Sequence, residues 1–185
     1  PNSYQLLLDG GEGNDTLLLS GTSYGVPRAL LSGGAGDDEL TIEIEVRDAS
    51  MTGGEGIDTF VLTEANVENA EYWDSTYGLT SSTLIITDFE VGEGGDVLDI
   101  GAFVDTDYLS GYSSGNPFHP DNGYLRFSQI GSSDDSLLEI DRDGASGSTY
   151  SWLPVVELAS VDVDTISAWN TSLGRRVVGD SLAFT

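Results

Sequence analysis

Three clusters in this chain set glycines and a carboxylate at one fixed spacing. They are Gly10-Gly11-Glu12-Gly13-Asn14-Asp15, Gly33-Gly34-Ala35-Gly36-Asp37-Asp38 and Gly53-Gly54-Glu55-Gly56-Ile57-Asp58. Two residues after each aspartate stands a large apolar residue, Leu17, Leu40 or Phe60, so all three fit G-G-x-G-x-D-x-U-x. Glycine lets backbone carbonyls crowd a common point, and the aspartates bring charge. A mixture of carbonyl and carboxylate oxygens, six to eight in all, is what Ca²⁺ takes. The plainer chemistry is a turn, since Gly tolerates positive φ and Asp bonds back to nearby backbone. Repetition decides between them. One copy fits either, whereas three copies offset by 23 and 20 residues fit a stacked, cation-binding array.

Stacking requires strands that carry the turns one above another. Contiguous nonapeptides place same-side turns about 18 residues apart. The wider offsets here imply that every second repeat has degenerated and gained a few residues. Leu17-Leu18-Leu19 and Ala29-Leu30-Leu31 read as the strands of one coil, and 21–28 as its metal-free far turn. In an extended turn successive carbonyls point to opposite sides. Gly11, Gly13 and Asp15 are therefore expected to face Gly33, Ala35 and Asp37. Gly34, Gly36 and Asp38 should face Gly53, Glu55 and Ile57 in the same way. The second site is the poorer, because Ile57 brings no side-chain oxygen where the other turns have Asn14 and Asp37. Leu17, Leu40 and Phe60 should point inward onto a thin core, which leaves much of the stability to the metal.

Composition narrows the partners. Asp and Glu number 32 against 6 Lys and Arg, a formal charge of −26. There is no Lys and the Arg are scattered, so neither nucleic acid nor anionic membrane is expected. There is no Cys, which removes disulfides, thiolate catalysis and zinc ribbons. No apolar run approaches the roughly 18 residues of a spanning helix, so no membrane insertion is expected. Leu, Ile, Val and Phe make up roughly a quarter of the chain, above the level at which disorder is the default. The opening at Pro1, with Gln5-Leu6-Leu7-Leu8 close behind, reads as a cut through a longer protein.

The segment 64–73 shows no alternation and reads as an excursion or a short helix. Leu125–Phe127, Leu137–Ile140 and Val155–Leu158 are short runs between Gly/Ser/Asp turns, which predicts antiparallel pairing. Asp164 stands where it could cap a short helix starting at Thr165.

The repeats resemble those of RTX (repeats-in-toxin) proteins, a family that Gram-negative bacteria export by type I secretion. Asp58-Thr59-Phe60-Val61, Ile85-Ile86-Thr87-Asp88-Phe89 and Gly95-Asp96-Val97-Leu98-Asp99-Ile100 are similar to the block that closes a β-roll in that family. Tyr124-Leu125-Arg126-Phe127, Leu138-Glu139-Ile140-Asp141-Arg142-Asp143-Gly144 and Val155-Val156-Glu157-Leu158 resemble the target domain at the C-terminal end of large RTX adhesins. The resemblance implies an all-β chain. A calcium-bound parallel β-roll (a β-solenoid) with its closing block would occupy 1–100. A mostly antiparallel, β-rich C-terminal region with a short helix, the type I secretion target region, would occupy 101–185. It also implies Asp88, Asp96 and Asp99 as ligands that close the last site with Gly54, Gly56 and Asp58.

The function so implied is calcium-dependent folding and type I secretion at the C-terminal end of an adhesin. That adhesin would be secreted or held at the cell surface, outside a Gram-negative bacterium. The partners are calcium ions and the type I secretion apparatus, with a host, biofilm or abiotic surface met through the rest of the protein. The alternatives are a surface- or carbohydrate-binding module of the same adhesin, or the non-catalytic tail of a secreted hydrolase. The tail Asp180-Ser181-Leu182-Ala183-Phe184-Thr185 is similar to the acid-then-apolar ends of type I secretion signals.

No enzyme is expected. Gly111-Tyr112-Ser113-Ser114-Gly115 fits the hydrolase elbow G-x-S-x-G but lacks a strand before it and a helix after it. His119, the one imidazole, follows too closely to be a separate triad arm. Gly179-Asp180-Ser181-Leu182 resembles a lipase signature with almost no chain left to build around it. Glu139, Asp141, Asp143 and Gly144 resemble half an EF-hand loop, yet the twelfth position is Tyr150 and the segment reads as a hairpin tip. Trp73, Trp152 and Trp169 read as packing residues before a sugar platform.

Overall fold

A computed structural model describes residues 5–21, 28–44, 46–77, 84–104 and 108–172. Most of the far turn expected over 21–28, the motif at 179–182 and the tail at 180–185 lie outside the described residues.

The first eight strands are laid down alternately in two sheets. β1 (Gln5–Glu12), β3 (Arg28–Ala35), β5 (Asp48–Glu55) and β7 (Leu84–Ile86) pair in parallel in that order. β2 (Thr16–Ser20), β4 (Glu39–Glu43), β6 (Thr59–Val61) and β8 (Val97–Asp99) do the same in the second sheet. Pairing is in register with the repeats, so Gly11 lies beside Gly34 and Gly34 beside Gly54. Leu17, Leu40, Phe60 and Leu98 form one row across the second sheet. Leu8, Leu31, Met51 and Ile86 form the row in the first. These rows build one core, in which Leu40, Met51, Phe60, Ile86 and Leu98 are fully buried. Each such side chain contributes roughly 1.5–3 kcal/mol by leaving water. At the open end, β1 and β2 are edge strands, and Leu7 and Leu18 are exposed.

β9 (Leu125–Gln129), β10 (Ser136–Ile140) and β11 (Leu153–Leu158) form the antiparallel pairs that the alternation predicts. They do not stand apart. Glu157 and Leu158 of β11 pair in parallel with Ile85 and Ile86 of β7. The first sheet thus has seven strands in the order β1-β3-β5-β7-β11-β10-β9. β12 (Thr171–Ser172) pairs in parallel with β8 and makes the second sheet five-stranded. The expected architecture is corrected accordingly. This is a mostly β fold of two sheets, one mixed and one parallel, with one 14-residue helix. It is not an all-β single parallel β-roll or β-solenoid followed by an antiparallel region. The physical reason lies at β7, a strand of three residues whose free edge must be paired or covered. The later hairpin, and not another parallel coil, supplies that pairing.

The helix α1 (Glu64–Tyr77) runs from β6 towards β7. Its first turn is closed by Asn66, whose Oδ1 accepts from the Thr63 amide at 2.8 Å. Val67 and Ala70 are buried. Asn66 donates to the Ile42 carbonyl at 2.9 Å, and Asn69 exchanges hydrogen bonds with both backbone groups of Val46. These asparagines satisfy backbone groups at and beyond the end of β4. Arg142 fixes the outer face through Glu71 at 3.0 Å. A one-turn helix α2 (Gly101–Val104) follows β8. In place of the short helix expected from Thr165 there are two 3-10 turns, Val163–Thr165 and Ala168–Asn170. The cap of the first is Asp162, not Asp164.

Candidate metal centre

The glycine turns sit at the ends of β1, β3 and β5, and the strand register stacks them. Two features bring their backbones unusually close. Gly34 has φ +113° and its Cα faces the carbonyl oxygen of Gly11, while Gly54 does the same to the carbonyl of Gly34. The Gly13 carbonyl faces Gly36 and the Gly36 carbonyl faces Gly56. In the opposite sense, the Gly33 carbonyl faces Gly10 and the Gly53 carbonyl faces Gly33, each 2.6 Å from where a Cβ would stand. The Ala35 carbonyl accepts from Gly13 and the Glu55 carbonyl from Gly36, both at 2.7 Å. Four carbonyls thus line the first gap (Gly11, Gly13, Gly33, Ala35) and four the second (Gly34, Gly36, Gly53, Glu55).

The aspartates form a ladder of their own. Asp38 Oδ1 accepts from the Asp15 amide at 2.7 Å, Asp58 Oδ1 from Asp38 at 2.9 Å and Asp96 Oδ1 from Asp58 at 2.9 Å. A parallel row runs through position five of each turn. Asn14 Oδ1 accepts from the Asp37 amide at 3.1 Å, and Asp37 Oδ1 from Ile57 at 2.9 Å. The carbonyls follow the alternation expected from an extended turn, but these side chains run the other way. Asp38 reaches back to the first turn and Asp37 forward to the third. The cause is positive φ at the second and fourth positions of every turn, Gly11, Gly13, Gly34, Gly36, Gly54 and Gly56, which breaks the period of two before the aspartates.

Asp38, Asp58 and Asp96 are each at most 2% exposed. The Oδ2 atoms of Asp15, Asp38 and Asp58 are buried with no hydrogen-bond partner. Burial pushes Asp58 up to about 6 from 3.8, against the Asp38 amide that lowers it, and the charges of Asp96, Asp38 and Asp88 push the same way. Burial likewise raises Asp96, despite the amides of Glu90 and Asp58. The ion pairs among the described residues are Arg126–Glu139, Arg142–Glu71 and His119–Asp121, and none reaches this ladder.

Asp88 follows β7 and grips the start of the third turn, taking the amides of Gly53 at 3.0 Å and Gly54 at 2.9 Å. Asp88 and Asp96 are therefore brought to the turn that carries Gly54, Gly56 and Asp58. Asp99 is not. It stands at the end of β8, where its Oδ1 accepts from the Gly101 amide at 2.8 Å. Asn14, at the fifth position of the first turn, spends its side-chain oxygen on the Asp37 amide. Among the described residues no group of three or more His, Cys, Asp or Glu is placed to hold a metal ion. Any cation here must be held mainly by backbone carbonyls.

No family model matches the sequence, and no curated protein matches it. Similar solved structures include two subunits of one enzyme. One is the AlgE6R3 subunit from the Azotobacter vinelandii mannuronan C5-epimerase, with TM-score 0.40 and 18% identity, covering 98% of this chain and 91% of that one. The other is the AlgE6R2 subunit of the same enzyme, with TM-score 0.41 and 19% identity, covering 96% and 98%. The likeness is too slight to carry an argument about function.

The fit to a cation rests on the chain itself. A buried carboxylate oxygen without a partner costs on the order of 1–3 kcal/mol, and more when charged. Three such oxygens stand beside converging carbonyls, and among the described residues no cationic side chain is paired with them. That donor set is all oxygen, which suits a hard cation and Ca²⁺ above softer metals. The motifs that imitate catalytic sites find no such support. Ser113 lies in irregular chain, and Tyr112 Oη donates to the Gly115 carbonyl. The imidazole of His119 accepts from the Asp121 amide at 3.2 Å. Both Asp143 oxygens are taken by the amides of Ser148, Thr149 and Tyr150, so its carboxylate organises a turn. Among the described residues no helix is long and apolar enough to cross a membrane.

Proposed function

We propose that this chain is a calcium-dependent folding module that does no catalysis itself. Its place is the C-terminal end of an adhesin that a Gram-negative bacterium exports by type I secretion. The observation that carries the calcium reading is the buried aspartate ladder, whose orphaned oxygens lie in a chain of net charge −26 without a lysine. The first gap would hold its ion with the carbonyls of Gly11, Gly13, Gly33 and Ala35 and the carboxylate of Asp38. The second would use Gly34, Gly36, Gly53 and Glu55 with Asp37 and Asp58. Asp88 and Asp96 would serve the third turn. The bound ion supplies the positive charge that cancels repulsion along the ladder.

At the affinity of extracellular modules, millimolar Ca²⁺ adds roughly 0.4–1.4 kcal/mol per site, enough in combination to switch a marginal fold. Calcium is scarce inside a cell and plentiful outside, so the chain stays loose for export and folds on arrival. The adhesin and secretion parts of this proposal rest on the sequence resemblance. Circular dichroism tests the core of it. A mostly disordered spectrum in chelator and a β spectrum in millimolar Ca²⁺ are expected, and identical spectra refute it.

A carbohydrate-binding role is the second reading. It is favoured by a cleft of about 600 Å³ lined by Phe118, Phe127, Trp152 and Arg126. Saturable binding of this chain on a glycan array, lost in Trp152→Ala, would establish it.

A further inference from the structure

The loop between β7 and β8 brings Asp96 to the ladder. Its inner hydrogen bonds are few: Glu90 N–H to Asp96 Oδ2 at 2.8 Å, Asp96 N–H to the Glu90 carbonyl at 2.8 Å and Gly95 N–H to the Gly92 carbonyl at 3.2 Å. Further backbone groups of the loop are met by a residue far along the chain. Asn170, fully buried, accepts from the Gly92 amide at 2.9 Å through Oδ1. Its Nδ2 donates to the Asp96 carbonyl at 3.0 Å and the Glu90 carbonyl at 3.2 Å. One amide side chain thus ties the first, third and last residues of the segment from Glu90 to Asp96.

Asn170 is itself held. Its Oδ1 also receives the Ser167 hydroxyl at 3.1 Å, and the next two residues are β12, paired to β8 directly after the loop. An amide suits the position because it donates and accepts at once, and because it adds no charge beside Asp96, Asp58 and Asp88.

We infer that Asn170 is a positioning residue for the last rung of the cation ladder, holding the Glu90–Asp96 loop so that Asp96 meets the third glycine turn. This rests on the calcium reading above. Removing Asn170 should loosen Asp96 and weaken the ion at the third turn, while the first and second gaps, built from other segments, keep theirs. The same tie works in reverse, since an ion that fixes Asp96 must favour docking of Asn170.

The test is calorimetric Ca²⁺ titration of the full chain, with amide hydrogen exchange on the same samples. The variants are Asn170→Ala and Ile166→Ala, the latter removing a buried apolar side chain of the same segment that makes none of the loop's hydrogen bonds given above. Asn170→Ala should lose one ion, or bind it at least tenfold more weakly. Exchange should speed up at Gly92 and Asp58, whose amides depend on Asn170 and Asp96, and not at Asp15, whose amide depends on Asp38. Ile166→Ala should keep every ion. Where Asn170→Ala does not fold, Asn170→Leu keeps a branched side chain of similar shape and removes donor and acceptor without adding charge, with the same expected result. Equal ion binding by Asn170→Ala and the unaltered chain overturns the inference alone. So does an equal loss in Ile166→Ala, since Asn170 would then be ordinary packing. No calcium uptake by the unaltered chain overturns the calcium reading and this inference with it.

Discussion

Alanine at two neighbouring glycines separates backbone strain from the closeness of the turns. Gly11 and Gly34 are paired across β1 and β3, and both have positive φ, +94° and +113°. Alanine at either costs ~1–3 kcal/mol for a conformation that L-residues avoid. The surroundings differ. A methyl on Gly11 meets nothing within 4 Å, because β1 is an edge. A methyl on Gly34 would overlap the Gly11 carbonyl oxygen, with the Gly11 carbonyl carbon at 2.9 Å and Cα at 3.1 Å. Those are backbone atoms of a paired strand and cannot swing aside, so the turns must part. Overpacking of that kind adds roughly 1–3 kcal/mol. Gly34→Ala should therefore be less stable than Gly11→Ala by about 1–3 kcal/mol in urea denaturation with saturating Ca²⁺. The calcium midpoint of Gly34→Ala should also rise, because the methyl stands between the carbonyls of the first gap. Equal stabilities within about 0.5 kcal/mol would mean that the turns do not approach each other as described, and the carbonyl-lined gaps would go with them.

The pH dependence should change sign with calcium. Folded Asp58 holds its proton up to about 6, whereas the unfolded chain releases it near 3.8. Without metal, its contribution is full below the lower value and disappears as the pH rises through the higher one, so acid stabilises the apo chain. The gain from pH 7 to pH 5 is on the order of 1 kcal/mol from Asp58, with Asp96 acting in the same direction. With calcium bound, the same protons compete with the ion, and acid should destabilise. In chelator, β content by circular dichroism should rise from pH 7 to pH 5, less so in Asp58→Asn, while in saturating Ca²⁺ the urea midpoint should fall over the same range; a change in the same direction in both contradicts the ladder. Arg142→Ala removes the Glu71 pair and the stacking on Tyr108 at 3.9 Å, so α1 should loosen from the later strands. A loss of about 1–2 kcal/mol is expected in the same melts, with most of it retained in high salt if the ring contact dominates.

The turns were legible in the sequence because their chemistry is local. A chain that reads G-G-x-G-x-D needs positive φ at fixed positions and room for a neighbouring carbonyl, and those needs are met within six residues. The rows of Leu17, Leu40 and Phe60 were legible for the same reason, since each stands two residues past its turn. The architecture was not. What joins the late strands to the early ones is the pairing of Glu157 with Ile85 and of Thr171 with Leu98, across about seventy residues. No local pattern encodes such a pairing, and a two-residue strand such as β12 leaves no alternation to find. Asp99 shows the limit within the site. It stands three residues beyond Asp96 and shares its residue type, yet its Oδ1 takes the Gly101 amide. Asn170 shows the converse, a residue without motif or charge on which the loop of Asp96 depends. A carboxylate's role in this chain is thus set less by its own repeat than by what holds the segment beside it. That is why a substitution twelve residues beyond the last long strand is the sharpest probe of the ladder's final rung.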